Sequence, residues 1–195
     1  VPPVLADAAS NKTAPDYLRE TADTWNASIE RWLYCSGTEL AHQHGVDGYY
    51  VRVAVPDRAD PPSPCHRFVP IKIRPPDQAV GPAALMVSLD ALAFVRFGLR
   101  AADDPRIVNT VKVVDATLKV DTPRGPVWHR YQGDGYGEHA DGGPFDGTGI
   151  GRAWPLLTGE RAHYELAAGR RDVAKRLADA LEALAGESGL LPEQV

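Results

Sequence analysis

Asp172-Val173-Ala174-Lys175-Arg176-Leu177-Ala178-Asp179-Ala180-Leu181-Glu182-Ala183-Leu184-Ala185-Gly186 is the stretch that decides the fold class. Val173, Leu177, Leu181 and Leu184 recur at helical spacing, which predicts an amphipathic helix over 172–185 stopped by Gly186. Working upstream, the same reading gives helical segments near 150–157 and over 160–168. A further helix is expected over 16–33, where Leu18, Ala22, Trp25, Ile29 and Trp32 form one stripe and Thr13, Pro15 and Asp16 supply the start. Ser88 can cap a helix through about Ala102, with Leu89, Leu92, Val95, Phe97 and Leu99 as its apolar face. Asp104-Pro105 signals the next, carrying Ile107, Val111, Val114 and Leu118 and ending before Pro123 and Gly125. These last two are expected to pack as an αα-hairpin with almost no loop.

The interruptions are few. Residues 48–55, Gly-Tyr-Tyr-Val-Arg-Val-Ala-Val, favour a short strand because β-branched and aromatic side chains dominate, with 68–73 as its expected partner. Between Ala54 and Val87 prolines are too dense for a helix, so an ordered loop is expected, its one basic cluster being Ile71-Lys72-Ile73-Arg74. The expectation is a mainly α chain with a short β-hairpin or irregular Pro-rich loop inserted. No sequence period of 20 to 50 residues marks a repeat array.

The chain has 195 residues, enough for one domain over 1–195 that buries roughly 70% of its unfolded surface. Its 21 basic and 26 acidic side chains leave a formal charge of −5, so no basic field draws nucleic acid or an anionic membrane. A neutral ligand suits such a surface better. No apolar run is long enough to span a bilayer, and the first residues lack a signal-peptide pattern. Two cysteines, Cys35 and Cys65, are too few for a disulfide framework and match no zinc spacing. They read as ordinary thiols, with a bridge between them as the alternative.

Metal and phosphate patterns are weak. Asp134, Glu138, Asp141 and Asp146 break the EF-hand spacing, and His42, His44, His129, His139 and His163 form no HExxH. The Gly-rich 142–151 lacks the Lys-Ser/Thr ending of a P-loop. No metal and no cofactor are expected.

Three segments carry chemistry. Trp128-His129-Arg130-Tyr131-Gln132-Gly133-Asp134-Gly135-Tyr136 combines aromatics with an Arg and an Asp, the residue types that hold a neutral sugar. Rings cover its C–H patches while charged groups bond its hydroxyls. Phe145-Asp146-Gly147-Thr148-Gly149-Ile150-Gly151-Arg152-Ala153-Trp154-Pro155-Leu156-Leu157-Thr158-Gly159-Glu160-Arg161 is the second. The third, Gly189-Leu190-Leu191-Pro192-Glu193-Gln194-Val195, places a carboxylate after a Pro in a loop that follows a helix, where rigid backbone can aim it.

Taken in order, these segments resemble the C-terminal half of the catalytic domain of glycoside hydrolase family 15, the glucoamylases and glucodextranases. The fungal members carry Arg-Tyr-Pro-Glu-Asp-x-Tyr, which Arg130, Tyr131, Asp134 and Tyr136 match, with Gln132 and Gly133 in place of Pro-Glu. The Gly-x-Gly-Arg-x-Trp-Pro-Leu-Leu-Thr-Gly-Glu-Arg segment is similar to the bacterial branch. The resemblance covers most of residues 16–195, with 145–161 its most specific part. It implies about half of an (α/α)6 toroid and an inverting, exo-acting α-glucosidase that releases β-glucose from an α-glucan or oligosaccharide. Glu193 falls on the family's general base. Arg130, Tyr131, Asp134 and Tyr136 fall on residues that bind glucose at the cleavage point, and Trp154 on an aromatic near the sugar subsites.

The family's general acid lies upstream in a Trp-Glu-Glu type segment, and no Trp of this chain is followed by Glu. The chain is therefore expected to begin after the acid and end at the base. A helical, sugar-binding piece without catalysis is the alternative from another class, and a trehalase-type α/α-toroid enzyme a narrower one. Half a toroid would expose inner helix faces and favour self-association.

Overall fold

The computed structural model describes residues 13–52 and 64–195. The first helix, α1 (Thr13–Leu33), has the expected place, but its stripe is only partly used. Ile29 and Leu33 pack on the core, whereas Trp25 stands in the open at 63% exposure. The helix is tied down by charge. Arg100 reaches both Glu30 oxygens and the Asn26 carbonyl, and Tyr50 donates its hydroxyl to Glu30 at 2.7 Å.

The expected strand at 48–55 is present as β2 (Gly48–Tyr50), but its partner is β1 (Tyr34–Ser36), not 68–73. The ladder pairs Cys35 with Tyr49, and a short helix, α2 (Glu39–Gln43), fills the connection. Three residues in one strand give too little alternation to read, and the pairing is fixed by burial of Tyr49 and Tyr50. Residues 53–55 and the first half of the Pro-rich stretch lie outside the described residues. Its second half is not simply a loop: β3 (Phe68–Pro70) pairs antiparallel with β4 (Val80–Pro82), closed over Val69, Ala83 and Met86.

The helix expected from Ser88 to Ala102 is much shorter. Ser88 does cap, accepting from the Asp90 N–H, but it caps a 3-10 turn over Leu89–Ala91 that runs into α3 (Leu92–Arg96). Gly98 then takes φ 72°, a left-handed conformation that ends the helix and leaves Phe97 exposed. The αα-hairpin is lost with it, because residues 97–104 intervene before α4 (Pro105–Thr117). There the capping reading holds, with the Asp104 carboxylate accepting from the Arg106 N–H at 2.9 Å, a contact of about 1 kcal/mol. Ile107, Val113, Val114 and Leu118 of α4 are buried, and Thr110 on the same helix accepts from the Tyr50 N–H.

After α4 comes a sheet that helical periodicity did not reveal. Strands β5 (Lys119–Thr122), β6 (Gly125–His129) and β7 (Ala153–Trp154) stand in that order, all antiparallel, with Trp128 opposite Trp154. The segment expected to be helical from 150 is therefore extended up to Trp154, and Pro155 opens one continuous helix, α5 (Pro155–Ala167). Gly159 within it does not break it. The closing helix, α6 (Arg171–Ala183), packs along α5 and buries Ala174, Leu177 and Ala180. Mainly α is correct, but the described residues hold three small antiparallel sheets rather than one hairpin. The site hangs from β6, β7 and the loop between them.

Candidate active site

Strand β6 delivers Arg130, and the tight turn after it returns Asp134 beneath the guanidinium. Asp134 Oδ2 accepts from Arg130 Nε and Oδ1 from Nη2, both at 2.7 Å, and Oδ1 also accepts from the Tyr136 N–H at 3.0 Å. This is a bidentate fork, the strong form of an Arg–carboxylate pair. The Asp134 side chain is 1% exposed and its oxygens are taken by these donors, whereas Arg130 is 31% exposed. The hydrogen bond from Arg130 to Asp134 holds the guanidinium charged, its pKa raised despite partial burial.

Aromatic faces surround the guanidinium. Its carbon lies 4.8 Å from the Trp154 ring centre, 5.1 Å from Tyr136 and 5.4 Å from Tyr131. Tyr136 and Trp154 lie 6.0 Å apart, and Phe145 meets Tyr136 edge-on at 5.3 Å. Burial and the Asp134 charge push the Tyr131 hydroxyl above its ordinary 10, so it remains a donor at neutral pH.

The loop between β6 and β7 can lie this close only because glycines remove side chains from the contact. A Cβ on Gly151 would stand 2.6 Å from the Asp134 carbonyl oxygen, and one on Gly135 would stand 2.0 Å from the Ile73 carbonyl oxygen. Backbone hydrogen bonds hold the layers together, from Gly151 N–H to Asp134 at 2.9 Å and from Ile150 N–H to Glu138 at 3.1 Å. Arg74 supports the turn from outside, donating to the Gly133 carbonyl at 2.6 Å.

Glu193 stands exposed on the rim of a second cleft of about 560 Å³, whose wall includes Trp154, Leu156, Leu191 and Pro192. Two tethers place it. The Gln194 side-chain amide donates to the Tyr136 carbonyl at 3.1 Å, and the Val195 N–H donates to the Ala153 carbonyl at 2.9 Å. Trp154 is thus shared: its indole faces Arg130, and the same residue lines the cleft that Glu193 borders. All six residues singled out from the sequence lie in this one region. Glu160 also lines the cleft, where it is paired with Arg96.

Sequence reasoning missed two participants. Arg52 stacks over Tyr131 at 4.2 Å and pairs with Asp90 at 3.6 Å. Arg74 was noted only as part of a basic cluster. For Arg52 no local signal exists, because its partner is 79 residues away in the chain. Among the described residues no group of three or more His, Cys, Asp and Glu is arranged to hold a metal, and no helix is long and apolar enough to cross a membrane.

Comparison with known proteins bears on this geometry. No family model matches the chain. It is 41% identical over 191 residues to a glucoamylase of Clostridium sp. (strain G0005), a match covering 98% of this chain. It superposes with a TM-score of 0.86 and 38% identity on a crystal structure of a bacterial glucoamylase complexed with acarbose, over 99% of its length. The chain spans about a quarter of each relative, 25% of the first and 27% of the second. Over nearly all of its length the chain is homologous to a segment of the glucoamylases.

Proposed function

We propose that the chain is the sugar-holding wall and water-activating edge of an inverting, exo-acting α-glucosidase that releases β-glucose from the non-reducing end of an α-glucan or oligosaccharide. The observation that carries this reading is the shared position of Trp154, which joins the Arg130 cage to the cleft bordered by Glu193. In this role Arg130 offers hydrogen bonds to sugar hydroxyls from the side that Asp134 does not occupy. Tyr131 donates a further one, and Tyr136 and Trp154 cover the apolar sugar faces. Asp134 serves by aiming Arg130 and fixing the Tyr136 backbone. Its carboxylate contributes to binding through them.

Glu193 then accepts a proton from the water that attacks the anomeric carbon, on the face opposite the departing oxygen. A second carboxyl, about 6.5–9.5 Å away, protonates that oxygen. The engagement of Glu160 by Arg96 favours an acid from another part of the parent protein. On this reading the helices form about half of an (α/α)6 toroid, folded as a single domain over 1–195. Exposed Leu156 and Leu166 on α5 are then faces that favour self-association of the isolated chain, a state that sedimentation would register.

The test is proton NMR of the anomeric signals of glucose released from maltotriose, with wild type and Glu193→Gln in parallel. β-Glucose released by wild type, with turnover cut by about 10²–10⁴ in the variant, supports the reading. Undiminished turnover in the variant excludes Glu193 as base. If neither releases glucose while tryptophan fluorescence still reports maltotriose binding, the sugar-binding reading replaces the catalytic one for this chain.

A further inference from the structure

Away from the sugar cage, the two cysteines of the chain meet. Cys35 is central in β1, fully buried against Tyr49. Cys65 sits in the 3-10 turn Pro64–His66, partly exposed and packed on the same core. Its sulfur lies 4.0 Å from the carbonyl oxygen of Ser36, the residue after Cys35, and it packs against the same cluster of buried side chains that holds Cys35. No disulfide joins them. Nothing in the sugar site uses either thiol.

We infer that Cys35 and Cys65 are an oxidisable pair which closes to an intramolecular disulfide on exposure to a small-molecule disulfide. The asymmetry of the two sulfurs sets the order of events. Cys65, the accessible one, attacks the external disulfide as thiolate, forming a mixed disulfide and releasing one equivalent of small thiol. Cys35 loses its proton, attacks the Cys65 sulfur and displaces the second equivalent. The two protein thiols are oxidised to one S–S bond, and the external disulfide is reduced to two thiols.

The second step is the slow one. Burial, with the Cys65 neighbour adding to it, pushes the Cys35 thiol far above its ordinary value, so little thiolate is present near neutrality. Closure is therefore expected to quicken as pH rises. The bond would lock the Pro64–His66 turn onto β1. That turn leads into β3, which with Tyr131 and Arg52 borders a cleft of about 280 Å³ beside the cage. Closing the loop from residue 35 to residue 65 restricts the unfolded chain without adding a contact to the folded one.

The experiment treats the native chain with oxidised glutathione at pH 7 and pH 9, quenches with acid, and maps peptides without reduction. The expected product is a single Cys35–Cys65 linked pair, formed several-fold faster at pH 9, with Tm raised by roughly 5–10 °C and restored by dithiothreitol. Cys65→Ser should leave Cys35 unmodified in the folded protein, and Cys35→Ala should stop at the Cys65 mixed disulfide. A linked pair that forms only in urea would overturn the inference. So would glutathione carried separately by both cysteines in the wild type, or a bond between two chains.

Discussion

Two arginines in this protein sit in nearly the same chemistry and do opposite things. Arg161 on α5 makes a bidentate fork with Asp115 at 3.0 and 2.7 Å and a third contact to Glu165 at 2.5 Å, and it lies over Trp128 and Tyr164. Arg130 also forks onto one carboxylate and also lies among rings. The difference is in what each has left. Arg161 spends Nε and both terminal nitrogens and is 8% exposed, whereas Arg130 is 31% exposed and its Nη1 has no partner among the described residues. A carboxylate fork with aromatic stacking is therefore not a signature of a binding site. On the proposed function, the unspent donor on an otherwise fixed cation is what separates the arginine assigned to recognition from the arginine that braces.

That contrast can be broken by substitution. The largest effect should come from Arg161→Ala, which removes the fork on Asp115 and leaves the buried Glu165 with Arg170 alone, and costs about 3–4 kcal/mol. Calorimetry should show a Tm fall of roughly 10 °C or more. A loss under 1 kcal/mol would remove the bracing role. Arg130→Lys keeps the charge but loses the fork and the flat stack, and on the proposed reading should weaken maltotriose binding by about 10-fold while moving stability by about 1 kcal/mol or less. Titration calorimetry and thermal melts on the same sample check both halves, and a variant that loses stability but keeps affinity would merge the two arginines into one class.

The smallest effect concerns acid. Burial alone would raise the Glu165 carboxyl, but hydrogen bonds from Arg170 and Arg161 outweigh it and hold the pKa below its ordinary 4.5. A carboxyl with a depressed folded value contributes stability that is present above 4.5 and is lost as pH falls through the folded value. Denaturant melts should therefore lose stability below about pH 4.5. Glu165→Gln should flatten that part of the profile, and an unchanged profile would assign the acid sensitivity to other groups such as Asp104, also held low, there by Arg106.

What the sequence revealed follows from the range of the forces involved. Helices α1, α4 and α6 were legible because caps and apolar periodicity act within one or two turns, as Asp104-Pro105 did for α4. The sheet β5-β6-β7 was not, because Lys119–Thr122 and Gly125–His129 are strands only by virtue of pairing, and β7 has two residues. The end of α3 at Gly98 was not read, because apolar residues continue on both sides of it. In the site, Arg130 and Asp134 four residues apart, together with Tyr136 and Trp154, were identifiable as a set. The direction of the Asp134 carboxylate toward Arg130 and away from the open side was not, since it depends on the turn closing beneath the guanidinium.

The glycines stacked between β6 and β7 have a consequence for anyone redesigning this site. Where Gly135 touches Ile73 and Gly151 touches Asp134, main chain rests on main chain, and no side chain is available to yield. A randomised library across 133–151 should return glycine at both positions in nearly every folded clone. On the proposed function, variation in ligand preference is better sought in Tyr131, Trp154 and Arg52, whose contacts at the cage are stacked faces of rings and guanidinium groups and not main chain.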